Sequence, residues 1–370
     1  MKETGLVNNI PQYEPWFHGT EGDILKDYMD HSNGWVTEFS KTKEFEKQIA
    51  EFLGVKHCIV VNNGTISLSI ALHVLGVRPD NAVIVPDLTM VASANAVSLI
   101  GAYPVLVDIS PRSLCLDVDK TIEECKKGGI TAVIYVSLNG RCDEDLIRLR
   151  DYCSAHNIAL IEDAAQSFGS KYRDRFLGTI GDIGSFSFSP QKTITTGQGG
   201  ALVTNNDDWA ARIRCFKDFG REEGGVDIHT SFGINSKFTD LQALIGLEQI
   251  KHIEERVWKK QYIYDSYYKR LVFQPGVLMH AYREEGEVPW FVDIYTEKRA
   301  ALHQYLQGKG IGTRKVYPPI HTQPYCSIKK DFLVASYISD RGLWLPSSIN
   351  LDICTIDKIC SEIRLFFQEG

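Results

Sequence analysis

The sequence predicts an α/β fold in which a large domain built on a mainly parallel sheet is followed by a smaller α/β domain at the carboxyl end. Short β-branched or apolar runs alternate with longer segments whose apolar residues recur three and four apart, as strands covered by helices do. At 370 residues with 44% hydrophobic content the chain can fill one large core and one smaller one. Past the middle, a long helical segment interrupts the alternation, and a shorter strand-helix-strand pattern follows it.

In chain order, the expected strands of the large sheet are HCIVV (57–61), AVIVP (82–86), PVLV (104–107), TAVIYV (131–136), IALIE (158–162), GSFSF (184–188) and ALVT (201–204). Between them, GTISLSIALHVLG (64–76) and DEDLIRLRDYCSAHN (143–157) carry the apolar spacing of sheet-covering helices. The segment from Thr239 to Leu271 reads as one long helix, opened by a threonine cap and ended near Pro275. It leads into the second domain, where PWFVDIY (289–295), TEKRAALHQYLQGKG (296–310) and GTRKVY (312–317) read as strand, helix and strand. The expected division is residues 1–250 and 251–370, with the N-terminal residues free to join the small domain.

A net charge of -7 and a pI near 5.8 argue against a nucleic-acid surface, which needs clustered Lys and Arg. No apolar run approaches the roughly 18 residues of a membrane span, and MKETGLVNNIPQYEPW lacks the charged-then-apolar layout of a signal peptide. A cytoplasmic protein with no membrane partner is expected. The nine cysteines are scattered, odd in number and without a C-x-x-C pair, so reduced thiols are expected and no metal site.

Ligands of such sheets bind where strands end, and three features stand there. Asp163 follows an apolar strand in IEDAAQSFG, with Gln166 three residues on; alone, it reads first as a turn or helix-cap residue. Asn63, Gly64 and Thr65 form a strand-turn-helix junction that suits a phosphate, or simply a capped helix. In SFSFSPQKTITTGQGG, Ser187 lies five residues before Lys192. The glycine run fails the G-x-G-x-x-G dinucleotide pattern because Leu202 occupies the third glycine's place, so a nicotinamide site is unsupported. A lone lysine in a polar loop is ordinarily a solvated one; the three features together change its meaning.

The ordered series NNGT, EDAAQSFGS, SFSFSPQKTITTGQGG, GINSKFTDLQALIGLEQI, YPPIHTQPY and RGLWLP, spread over nearly the whole chain, resembles the DegT/StrS family of sugar-nucleotide aminotransferases, and within it the perosamine synthase group. The resemblance implies an aspartate aminotransferase-like (type I) fold, pyridoxal phosphate as cofactor (passing through its pyridoxamine form), and a homodimer with shared active sites. Lys192 would then bond the cofactor's aldehyde, Asp163 would meet the pyridinium nitrogen and Gln166 the phenolic oxygen. Asn63, Gly64, Thr65 and Ser187 would hold the phosphate, Asn235 would reach it from the neighbouring subunit, and Met90 would lie over the ring. His321, Lys315 and Tyr317 would face the sugar nucleotide, with His321 and Lys315 reading equally as a packing and a solvated residue.

Three positions depart from the family pattern: Met90 replaces an aromatic, Gln198 a glutamate and Lys237 an arginine. Lys192 itself argues against the branch that carries histidine there and dehydrates its sugar. The implied reaction moves an amino group from L-glutamate to a nucleotide-linked 4-keto-6-deoxyhexose, with a perosamine- or viosamine-type product. GDP is the first choice of nucleotide, with UDP and dTDP next, and KTITTGQGG resembles the form found in 4-aminotransferases. A 3-keto sugar, a cyclitol ketone and a non-catalytic regulator on the same fold are the alternatives.

Overall fold

Each run expected to be a strand of the large sheet is one. The computed structural model describes residues 9–32, 34–282, 286–328 and 330–369. Helices α1 (Glu21–His31) and α2 (Ser40–Leu53) precede the sheet. Strands and covering helices then alternate: β1 (His57–Val61), α3 (Gly64–Val74), β2 (Ala82–Pro86), α4 (Ala92–Leu99), β3 (Tyr103–Val107), α5 (Val118–Lys126), β4 (Ile130–Val136), α6 (Leu146–Ala155) and β5 (Ala159–Asp163). A short ribbon, β6 (Lys171–Tyr172) with β7 (Arg175–Phe176), precedes β8 (Ile183–Ser187), β9 (Gly200–Thr204) and α7 (Asp207–Lys217).

The seven-stranded sheet has the order β1-β9-β8-β5-β4-β2-β3. All its pairings are parallel except those of β9, which runs antiparallel to both β1 and β8. Because β5 and β8 are parallel neighbours, their last residues, Asp163 and Ser187, emerge at the same edge. One core packs Ile70, Leu72, Val83 and Val97. A second packs Ile122, Val133, Leu149 and Leu160, and a third gathers Phe45, Phe188 and Phe238.

The long helix expected from Thr239 to Leu271 is two helices, α8 (Asp240–Ile250) and α9 (Ile253–Leu271). At the break the His252 N–H bonds back to Gln249 O at 3.3 Å. No glycine or proline marks it. α8 is packed against α2 in the large core, whereas Tyr264, Tyr267 and Leu271 of α9 belong to the core beneath the second sheet. The axis must turn between two cores, and a helical period cannot register that.

The second sheet is antiparallel, in the order β10-β12-β11, from β10 (Asp293–Tyr295), β11 (Arg314–Lys315) and β12 (Gly342–Trp344), with α10 (Arg299–Gly308), α11 (Leu333–Arg341) and α12 (Ile353–Glu369) around it. Only the last three residues of the expected strand 289–295 are strand. Upstream, the Phe291 N–H donates to Asn139 Oδ1 (2.7 Å), and Asn139 Nδ2 donates to Phe291 O (2.9 Å). A large-domain side chain thus takes the bonds that a neighbouring strand would have used. Ile10 bridges to Ile311, so the N-terminal segment packs on this sheet. Arg141 clasps Asp293 through two hydrogen bonds of 2.8 Å, both residues buried, and ties the two sheets together. All nine cysteines are free thiols. No helix among the described residues is long and apolar enough to cross a membrane.

Candidate active site

Between β8 and β9 the chain makes a loop, and Lys192 lies in it. The loop is clamped from several sides. Tyr13 Oη donates to Lys192 O (3.3 Å), Trp290 Nε1 to Gln191 O (2.6 Å) and an Arg256 guanidinium N–H to Thr193 O (3.1 Å). The half-buried Lys192 Nζ sits 4.2 Å from the centroid of the Trp290 ring. Burial pulls its amine down from 10.5 to about 8, with the Arg314 charge helping and Asp163 opposing. Such an amine has a neutral, nucleophilic fraction near neutral pH.

Asp163 closes β5, buried at 6% exposure. Its Oδ2 accepts from Ser93 Oγ (2.7 Å) and its Oδ1 from the Ala165 N–H (3.2 Å). Burial raises this carboxyl above the usual range, against the pull of those two donors and of Lys192. Among the described residues no cation forms an ion pair with it, so a cationic ring nitrogen would relieve its burial. Gln166 is also buried, and its Oε1 accepts from the Asn139 N–H (2.8 Å), which leaves its Nε2 as a donor.

The third piece is a junction of backbones. Asn63 caps α3 by accepting from the Ile66 N–H (2.9 Å). A Cβ on Gly64 would stand 3.0 Å from Ser187 Cβ, and one on Gly200 would stand 2.6 Å from Asn63 C and O. Glycine at these two places lets the start of α3 lie flush against the end of β8 and the start of β9. The N–H groups of Gly64 and Thr65 have no intrahelical acceptor at a helix start. With the Thr65 and Ser187 hydroxyls they make an anion cradle. Amine, carboxylate, amide donor and anion cradle fit pyridoxal phosphate.

Met90 lies just after β2, 45% exposed, its sulfur accepting from the Ala92 N–H (3.0 Å). His321 is held twice by Asp87, its N–H donating to Oδ1 (2.9 Å) and its Nδ1 facing Oδ2 (2.6 Å). Asp87 is fully buried, and burial raises its carboxyl despite those bonds. The Tyr317 ring packs edge-on against Trp344 (4.9 Å), and burial pushes its hydroxyl up, with Asp163 adding to the effect.

Lys315 is not brought to this group. It is exposed and its charge acts on His303, whereas the preceding residue, Arg314, turns inward over Trp344 (5.3 Å) and Tyr317 (5.5 Å) and donates to Gln191 Oε1 (3.3 Å). Asn235 is exposed, paired with Asp218 and accepting from the Lys237 N–H (3.3 Å). Lys237 itself pairs with Asp218 (2.6 Å), and Gln198 is exposed with its carbonyl taken by Gln242 Nε2 (2.7 Å). Sequence reasoning missed Ser93, Asp87, Trp290 and Arg314. Asp87 and Ser93 flank Met90 in one short segment, which was a usable signal; nothing local marks Trp290.

Residues 23–364 match the DegT/DnrJ/EryC1/StrS aminotransferase family. The chain is 35% identical over 370 residues to a GDP-perosamine synthase of Escherichia coli O157:H7, covering 97% of this chain and 99% of that one. It is 35% identical over 364 residues to a GDP-perosamine synthase of Caulobacter vibrioides, covering 94% and 96%. Among solved structures, the sugar aminotransferase Spr1654 of Streptococcus pneumoniae, described as putative and in its PLP form, superposes with a TM-score of 0.89 at 25% identity, covering 98% and 99%. The chain is a pyridoxal phosphate-dependent aminotransferase of this fold.

Proposed function

We propose that this chain, which belongs to the DegT/DnrJ/EryC1/StrS aminotransferase family, moves an amino group from L-glutamate to the C4 ketone of a nucleotide-linked 4-keto-6-deoxyhexose, with GDP as the nucleotide. The observation that carries the chemistry is the half-buried Lys192 amine, drawn down to about 8 and sharing its site with buried Asp163. The near full-length likeness to GDP-perosamine synthases supports the substrate.

Bound pyridoxal phosphate supplies an aldehyde that carries the amino group and a conjugated ring that spreads negative charge from the substrate carbon. The start of α3 and the Thr65 and Ser187 hydroxyls would bind the phosphate. Asp163 would hold positive charge at the ring nitrogen, and Gln166 Nε2 would donate toward the phenolic oxygen. Lys192 Nζ takes the proton from the α-carbon of glutamate and, in the second half of the cycle, delivers a proton to C4 of the sugar. Glutamate leaves as 2-oxoglutarate. The Trp290 ring, 4.2 Å from Nζ, covers one side of the amine.

His321, oriented by Asp87, and Tyr317 are assigned to the sugar side of the site. Arg314 replaces Lys315 as the cation offered to the diphosphate. A homodimer with Asn235 completing the partner's phosphate site is supported by the exposed Phe232 (71%) and Trp35 (65%), which line a cleft with Lys237 and with Asp218, the bridge partner of Asn235. The test is incubation with glutamate and the GDP-, UDP- and dTDP-linked 4-keto-6-deoxyhexoses, followed by NMR location of the new C–N bond. Amination at C4 of the GDP sugar is expected; amination at C3, or turnover only of a free cyclitol ketone, overturns the substrate reading.

A further inference from the structure

We propose that His18, His252 and Glu255 bind one divalent cation of the zinc type, which staples the N-terminal segment to α9. The ligand atoms of the three residues all lie within 4.8 Å of one another. A tetrahedral zinc ion with bonds of about 2.1 Å separates its ligand atoms by roughly 3.4 Å, so a small inward movement completes the set. His252 and Glu255 are three apart across the first turn of α9 and share a face. His18 reaches them from the segment preceding α1, held by its own N–H donating to Glu21 Oε1 (3.0 Å). The two imidazoles lie in ring contact, with centroids 3.5 Å apart, and the rings must tilt apart for each to point a nitrogen at one ion.

His252 has a carboxylate near each ring nitrogen. Its Nδ1 is 3.9 Å from Glu255 Oε2, and its Nε2 is 3.9 Å from Glu248 Oε1. One nitrogen therefore faces the carboxylate of the proposed set, while the other stands beyond hydrogen-bond reach of Glu248, whose carboxylate is held by Lys251 (2.5 Å) and Thr20 (2.9 Å). Two features oppose binding: the positive end of the α9 dipole, and Lys259, whose Nζ bonds Glu255 Oε1 at 2.9 Å. The Glu255 carboxylate offsets the first, and the second makes Lys259 a competitor of the ion.

The staple would act on the catalytic loop. Trp16 O accepts from Arg256 and Gln249 (both 3.1 Å), and Arg256 also donates to Thr193 O beside Lys192 (3.1 Å). Fixing residues 13–18 thus fixes the clamp on that loop.

The holoenzyme, freed of metals by a chelator, is titrated with ZnCl2 by calorimetry, and thermal unfolding is followed with and without Zn2+. One ion per chain and a raised unfolding temperature are expected. His18→Ala and His252→Ala abolish both effects while keeping the bound-cofactor absorbance that certifies folding, and Lys259→Ala binds more tightly. Absence of Zn2+ uptake by the wild type, or uptake by His18→Ala with unchanged affinity, overturns the proposal and leaves the aminotransferase reading untouched.

Discussion

Replacing Gly200 by alanine tests whether the junction of α3, β8 and β9 is the phosphate cradle. The new methyl would stand 2.6 Å from the backbone C and O of Asn63 and 2.8 Å from the Gly64 nitrogen. Backbone cannot rotate aside as a side-chain tip can, so the start of α3 must move by about 0.8 Å, from 2.6 Å to the 3.4 Å at which ordinary contact begins. A shift of that size misaligns the Gly64 and Thr65 N–H groups with an anion held also by Ser187. Losing one charge-assisted hydrogen bond costs about 1.5–3 kcal/mol, which is roughly a ten- to 150-fold weaker grip on the cofactor. Overpacking also destabilises the fold by about 1–3 kcal/mol, so a matched control is needed. Gly246→Ala supplies it: its methyl would meet the Phe45 ring at 2.4 Å, in the core between α2 and α8. Equilibrium dialysis of pyridoxamine phosphate against the two variants, with urea unfolding of each, separates the effects. Both variants should lose stability, and only Gly200→Ala should lose affinity. Equal cofactor affinity in Gly200→Ala and wild type would refute the cradle.

The remaining predictions concern charge and assembly. Cofactor-stripped protein should bond the cofactor aldehyde at a rate that rises with pH about a midpoint near 8; Arg314→Ala should raise the midpoint and Asp163→Asn lower it, and the reverse order would refute the assignment of those charges. In stability, the same amine is depressed, so its burial penalty is full below pH about 8 and is relieved as pH rises from there toward 10.5. Lys192→Ala should abolish turnover yet retain pyridoxamine phosphate, and mixing it with inactive Asn235→Ala should restore part of the activity if sites are shared; no recovery after confirmed subunit exchange would exclude sharing. Arg141→Met leaves buried Asp293 without the guanidinium that holds its carboxyl below the usual range, and should cost about 3–5 kcal/mol by urea unfolding; Asp293→Leu added to it should recover much of that loss, and full stability of the single variant would show that the pair contributes nothing.

Much of the large domain was legible because its signal is local. Strands of a sheet covered by helices are short continuous apolar runs, and HCIVV and AVIVP became β1 and β2 without a shift of a single residue. The break between α8 and α9 was invisible because the helical period continues through Lys251 and His252, while the two halves answer to different cores. The short β10 was misjudged for a related reason: Asn139, about 150 positions away in sequence, takes the backbone bonds of Phe291.

The candidate site divides along the same line. Residue types at strand ends brought Lys192, Asp163, Ser187 and the Gly64 turn to notice as one group, but each alone reads as a solvated, turn or capping residue, and only the ordered resemblance to a family gave them roles. Which of two adjacent cations on β11 faces the site was decided by the pairing of Arg314 with Trp344 on β12, since neighbouring strand residues point to opposite faces and a shift of one position exchanges them. Likewise the pull on the Lys192 amine and the clasp of Asp87 on His321 arise between segments far apart in sequence. Burial and charge act through space, so these properties came into being only when the chain had folded.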